Sequence, residues 1–247
     1  MSDLYQDAAE ALGRSSSTVA VTGAGISVES GIPDFRSPDG LWARYPPEEY
    51  ATIDAFLADP DKAWVMFYEL ADMIVSAEPN AGHLALAQLE SSGRLDAVIT
   101  QNIDGLHVRA GNKDVIEFHG STTHLSCPDC ARRSPMDLSR RDFGAPRCQC
   151  GGAMKPDVVL FGEMIPPDAL MRSQVLAQQC DALIVVGTSA QVFPAAGLPY
   201  TAKENGAFII ECNTEPTAFT HAVTNVFLEG PAGETLPRLV AMLGEEG

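Results

Sequence analysis

Lysine is scarce in this chain. Four of its 16 basic residues are lysine, set against 33 Asp and Glu, and the formal net charge is −17. So large an acidic excess repels a phosphodiester backbone and favours cationic partners, so direct nucleic-acid binding is not expected. Salt screens self-repulsion of this kind. Two readings of the charge stay open: an ordinary soluble acidic protein, or one adapted to a salt-rich medium. Long apolar runs are also missing, and none reaches the ~18 residues that a membrane-spanning helix needs. Residues Met1–Leu4 have neither the basic nor the apolar region of a secretory signal,. The expectation is a cytoplasmic protein with no membrane association. Internal repeats and low-complexity stretches are absent as well.

One further absence is local. The apolar run 18–21 leads into Gly23-Ala24-Gly25, the start of a G-x-G-x-x-G phosphate turn, but Val28 stands where the third glycine belongs,. The acidic residue expected about 20 positions further on in a nicotinamide dehydrogenase is also lacking. In place of a clean helix the chain runs through Ser30-Gly31-Ile32-Pro33 into Asp34-Phe35-Arg36. Together these departures argue against an ordinary dehydrogenase.

What is present alternates between two periods. Helical spacing of apolar residues predicts helices over 4–13, 53–76, 83–89, 168–179 and 234–243. Short apolar runs predict strands over 18–21, 97–100, 115–118, 158–161, 183–186, 208–210 and 226–228. Strands alternating with helices make an α/β fold with a largely parallel, doubly wound, Rossmann-like sheet. Two segments interrupt it, giving a Rossmann-like domain over 1–39, 80–120 and 154–247, a helical module over 40–79 and a cysteine module over 121–153. The last has few aliphatic residues and two basic pairs, Arg132-Arg133 and Arg140-Arg141.

Four of the six cysteines fall in that module: Cys127 and Cys130 as C-x2-C, then Cys148 and Cys150 as C-x-C. Two thiolate pairs on a short ribbon suit one tetrahedral Zn²⁺, and a module of about 30 residues with no core of its own needs such a staple. With all four ligands cysteine and no open position, the ion is structural. A disulfide or free-thiol reading is the alternative.

Polar residues follow several strands. Gly187-Thr188-Ser189, Asn213-Thr214-Glu215, Thr100-Gln101-Asn102-Ile103-Asp104 and His119-Gly120 each stand at a strand's carboxyl end, where open α/β sheets bind ligands. Asn213 or Glu215 suits a ribose hydroxyl. Gln101, Asn102 and Asp104 suit an amide or a ribose, or else cap a helix. His119 is a candidate general base because imidazole titrates near neutrality.

Joined in this order, the segments GAGISVESGIPDFR (23–36), TQNID (100–104), HG (119–120), the two cysteine pairs, KPDVVLFGE (155–163), GTS (187–189) and NTE (213–215) resemble a sirtuin of prokaryotic type, a member of the NAD-dependent protein lysine deacylases. The resemblance covers about residues 20–240. It implies a Rossmann-like domain with a smaller part made of a helical module and a zinc ribbon. It further implies NAD as co-substrate, one structural Zn²⁺, and acyl-lysine proteins or peptides as partners. Nicotinamide leaves, the acyl oxygen attacks the anomeric carbon to give an imidate, and the acyl group ends on ADP-ribose.

By the same resemblance, Gly23, Ala24, Gly25 and Ser27 hold the pyrophosphate and Arg36 adds a charged contact. Ile32, Asp34, Phe35 and Trp42 belong to a mobile clamp over the cofactor. Asn102, Ile103 and Asp104 line the nicotinamide pocket, with Asp104 bonding the carboxamide, and Gln101 sits near the nicotinamide ribose. Gly187, Thr188, Ser189, Asn213, Thr214, Glu215 and Ala232 flank the adenosine. His119 is the catalytic base, with Asn102 beside it. The peptide adds as a strand between Val158, Val159, Phe161 and Gly162 on one side and Gln191, Val192 and Phe193 on the other. Relatives that remove succinyl or malonyl carry Tyr and Arg where this chain has Phe67 and Leu70, so deacetylation is expected over desuccinylation. Two alternatives remain: ADP-ribosyl transfer to protein on the same fold, and a non-catalytic sensor of an NAD metabolite.

Overall fold

A computed structural model describes residues 4–137 and 144–244 of the chain; Arg140 and Arg141 lie outside them. Nine strands are present among these residues: β1 Thr18–Thr22, β2 Ala97–Thr100, β3 Val115–Glu117, β4 Gly120–Ser126, β5 Arg133–Pro135, β6 Lys155–Val158, β7 Ala182–Val186, β8 Phe208–Asn213 and β9 Val226–Glu229. Six form one sheet in the order β3-β2-β1-β7-β8-β9. Every pairing within it is parallel. Successive strands are added to one side of β1 (β2, β3) and then to the other (β7, β8, β9), so the sheet has the doubly wound order with its switch point between β1 and β7 and with β4, β5 and β6 set aside,. Those three make a separate antiparallel sheet, β5-β4-β6.

Helices cover both faces of the large sheet, and the strands are apolar on both sides for that reason. On one face Ala20, Val98, Ile184, Ile210 and Leu228 meet Leu12, Leu86, Leu89, Leu236 and Leu239 from helices Leu4–Arg14, Ala81–Ser91 and Ala232–Gly244. On the other, Val19, Val21, Leu183, Val185 and Ile209 meet Ala177, Leu198, Ala202 and Phe219.

A third core joins the two interrupting segments. Phe56, Trp64, Phe67 and Leu70 from the helical segment pack with Leu125, Cys127 and Cys148 from the cysteine segment and with Met154 just beyond it. Trp64 Nε1–H donates to the Met154 carbonyl at 2.8 Å, and the Tyr68 hydroxyl donates to the Gly144 carbonyl at 3.0 Å. The cysteine ribbon therefore borrows its core from the helices.

The helix expected over 53–76 is two helices, Ile53–Ala58 and Pro60–Ser76. Asp59 breaks it by capping the second helix, accepting the Lys62 N–H at 3.0 Å, while Pro60 takes a first-turn position where no N–H is needed,. The extended run expected over 158–161 lies mostly beyond β6, and Phe161 makes only an isolated parallel bridge with Thr52. Among the described residues no helix is long and apolar enough to cross a membrane.

Candidate functional site

The carboxyl ends of β1, β2, β7 and β8 open into one cavity of about 1120 Å³. It is bounded by the carboxyl edge of the large sheet on one side and by the helical segment and residues 158–163 on the other. Its size exceeds the roughly 300–1,000 Å³ of a single small-molecule pocket, leaving room for a dinucleotide and part of a peptide.

At the switch point the turns after β1 and β7 touch. A Cβ on Gly25 would lie 2.7 Å from Gly187 Cα. Glycine is needed at both because no side chain fits between the turns. The Gly23 N–H donates to the Val186 carbonyl at 2.9 Å and the Gly25 N–H to Gly187 at 2.8 Å. Both amides are thus occupied inside the fold, and these glycines contribute close backbone approach rather than free donors.

Beyond Gly31, whose φ of 86° ends the 3₁₀ turn Ala24–Ser30, the chain loops over the cavity. Asp34 organises this loop: its carboxylate accepts the Ser37 N–H at 2.8 Å and its carbonyl accepts the Leu41 N–H at 2.9 Å. The Phe35 and Trp42 rings stack at 4.9 Å, and Trp42 lies 6.2 Å from Phe161 across the mouth.

On the inner wall, the Asn102 side chain donates to the Gly23 carbonyl and to Ser27 Oγ, both at 3.1 Å. Ser27 in turn donates to Asp104 at 2.7 Å. Ser27 and Asp104 are buried behind the wall rather than lining it. Behind them Thr22 Oγ1 donates to Thr100 at 2.9 Å and lies 2.9 Å from His107 Nε2. The His107 and His83 rings lie 4.9 Å apart. Burial holds both neutral, lowering His83 to about 4 and His107 to about 3,. Separately, His119 Nδ1–H donates to the Gln101 carbonyl at 3.1 Å. A carbonyl can only accept, so the proton sits on Nδ1 and the lone pair is on Nε2. Burial lowers the His119 pKa, and the Gln101 bond opposes the shift in part.

The end of the cavity beside the turns after β7 and β8 is walled by Thr188, Ser189, Asn213, Thr214, Glu215 and Ala232. Asn213 Nδ2 donates to the Thr188 carbonyl at 3.1 Å, tying the turns after β7 and β8 together. Of the residues expected at the site, Ser27, Ile32, Asp104 and Phe67 do not line the cavity; the others outside the cysteine ribbon do. Sequence reasoning missed Met66, which lines it in place of Phe67. The i, i+4 spacing of Met66 and Leu70 on one helix was the available signal. It also missed Glu163 and the buried pair His83 and His107.

Away from the cavity, the four expected cysteines converge. Their Sγ atoms all lie within 4.8 Å of one another, and the pairs Cys127–Cys150 and Cys130–Cys148 are each 3.6 Å apart. Sulfur ligands about 2.3 Å from a common tetrahedral ion are separated by nearly this much, so the donor set fits one Zn²⁺ with no position left open.

A doubly wound sheet, a ligand cavity at its switch point, a buried imidazole and a four-thiolate ribbon define a nucleotide-binding enzyme class with a stapled second lobe. The Sir2 family matches residues 23–194, and the chain belongs to it. An NAD-dependent protein deacylase of Pyrococcus furiosus is 47% identical over 235 residues, covering 93% of this chain and 94% of that protein. The ADP-ribose complex of a Sir2 homologue superposes with a TM-score of 0.94 at 42% identity, covering 98% of this chain and 97% of the other. A Sir2 complex with deacetylated p53 peptide and 3′-O-acetyl ADP-ribose superposes with a TM-score of 0.89 at 35% identity, covering 97% and 98%.

Proposed function

We propose that this protein is an NAD-dependent protein lysine deacetylase that transfers the acyl group to ADP-ribose and releases nicotinamide. One observation carries the reading. An imidazole whose Nδ1–H is held by the Gln101 carbonyl, His119, shares a cavity with the Gly23–Gly25 turn, with Asn102 and with the open segment Val158–Gly162. In this reading NAD lies over the turn, with Arg36 pairing with its diphosphate. Its adenosine rests against Thr188, Ser189 and Asn213, and its nicotinamide end points toward Asn102 and Ile103. Asp104 acts from behind, through Ser27. The substrate peptide pairs with the 158–162 edge and with Val192 and Phe193, using main-chain bonds that carry little sequence preference. His119 Nε2 takes the proton from a ribose hydroxyl, which then attacks the acyl carbon. One Zn²⁺ on the four cysteines supplies no chemistry and holds the ribbon.

The division into 1–39, 80–120 and 154–247 against 40–79 and 121–153 is kept, with the last two sharing a core around Trp64. The protein works in the cytoplasm.

Leu70 and Met66 line the cavity, while Phe67 packs edge-on against Trp64 at 5.6 Å. An acyl carboxylate entering this pocket meets apolar walls, so acetyl is favoured over succinyl. Mass spectrometry of the products from NAD with acetyl-lysine and succinyl-lysine peptides tests the reading. Nicotinamide and acetylated ADP-ribose in equal amounts, formed faster than the succinyl product, are expected. Faster desuccinylation overturns the acyl assignment. ADP-ribose attached to protein, with no acyl transfer, overturns the activity.

A further inference from the structure

One of the four lysines is buried. Lys155, at the start of β6, has a side chain 7% exposed. Its Nζ lies 3.0 Å from Glu163 Oε2 and donates to the Val158 carbonyl at 2.6 Å and the Pro156 carbonyl at 3.1 Å. The same Glu163 oxygen accepts the Leu160 N–H at 2.8 Å, and the Glu163 N–H donates back to the Leu160 carbonyl at 3.0 Å. On its other side the segment is fastened by Val159 N–H to the His119 carbonyl at 2.8 Å and by Phe161 N–H to the Ala51 carbonyl at 2.9 Å.

Burying an ammonium group is costly unless its partners are well placed. Here those partners all lie within residues 156–163: two carbonyls and one carboxylate that itself grips the backbone. An apolar residue at 155 would fill the space but leave the Val158 carbonyl without this donor. The arrangement also decides which main-chain groups face outward. The Val158 carbonyl and the Leu160 N–H are taken, so a peptide pairing with this edge has to use others.

We propose that Lys155 and Glu163 are positioning residues, an ion pair of a buried lysine and a half-buried glutamate that shapes Val158–Gly162 into the edge that receives the substrate peptide. This rests on the reading of that segment as the peptide edge. Neither side chain touches the reacting atoms; both act through the backbone between them.

The test is steady-state kinetics on the full chain with an acetyl-lysine peptide and NAD. Glu163→Gln keeps an acceptor oxygen for Leu160 but loses the charge, and Lys155→Met loses the donors. In each, the peptide KM rises about tenfold, while kcat and the NAD KM stay within about twofold, the pattern of lost binding rather than lost chemistry. The double variant is no worse than the poorer single, because each residue acts through the other. An unchanged peptide KM in variants that melt as folded proteins, an additive double variant, or an equal fall in kcat overturns the proposal. Should neither substitution fold, Glu163→Asp keeps the charge and shortens its reach, and its peptide KM decides in the same way. A photoreactive acetyl-lysine peptide on the unmodified protein separates the two ideas. Labelling outside 158–162 overturns the reading of the edge itself. Labelling within it, with variant KM values unmoved, overturns only the pair's role.

Discussion

At His119 one ring nitrogen is committed and the other is not. Nδ1–H is held by the Gln101 carbonyl, leaving Nε2 as the basic atom. Burial penalises the imidazolium and lowers the pKa from its ordinary value near 6.5,. The sign is direct. Protonation removes the base, so activity is full above the pKa and is lost as pH falls through it; a lowered pKa moves that loss to more acidic solution. The acid limb of kcat is therefore expected to inflect below pH 6.5, and a limb at 7 or above would contradict the assignment. His119→Ala should cost about 10²–10⁴ in kcat while calorimetry still detects NAD binding. His119 was legible as a lone histidine at a strand end. Its tautomer was not, because the Gln101 carbonyl comes from a different strand end, 18 residues away. Ser27 and Asp104 show the opposite case: the motif marks them, yet only the fold reveals that they bond each other behind the wall.

The cysteine ribbon is the element whose stability is least its own. Its residues bury little beyond what the helical segment supplies, and Trp64, fully buried, reports on that junction through its bond to Met154. Without an ion, four thiols replace the central tie, and metal-site binding energy is also folding energy. Cys148→Ser, or removal of the metal by a strong chelator, is expected to lower the melting temperature and shift tryptophan emission to the red. The two cores flanking the six-stranded sheet contain none of these cysteines, so helicity from that half should survive. A single unchanged melt would show the ribbon stands without metal. The C-x2-C and C-x-C spacing made this element readable, whereas its small sheet was missed. Strands β4 and β5 carry Thr, Ser, Arg and Pro in place of an apolar alternation, so periodicity had nothing to detect. The break at Asp59 was legible after all: Asp59-Pro60 is a helix-start pair, and the polar run Asp59–Lys62 separates the two apolar stretches,.

Across the whole molecule, the largely parallel, doubly wound class of the sheet follows from the alternation of strands and helices. What joins the two lobes does not, since contacts such as Tyr68 with Gly144 span 76 residues. Charge acts at this same scale. With 16 basic and 33 acidic residues, 16 − 33 = −17, most acidic groups have no cationic neighbour to pair with. Apart from the more enclosed Lys155–Glu163, pairs such as Arg14–Glu10 and Arg172–Asp114 are exposed, and exposed pairs are worth about 0–1 kcal/mol each. Added salt weakens those pairs and the net repulsion together, and the repulsion involves more charges. Raising salt from 0.1 M to 1 M shortens the screening length from about 10 Å to about 3 Å. The urea midpoint is therefore expected to rise over this range; urea is the right denaturant because guanidinium would itself add salt. Over the same range, the KM of a peptide with arginines beside its acetyl-lysine should rise, while that of a neutral peptide should hardly move. A midpoint that falls with salt would mean that the few ion pairs outweigh the acidic excess, and would leave the ordinary soluble acidic protein as the reading of the composition.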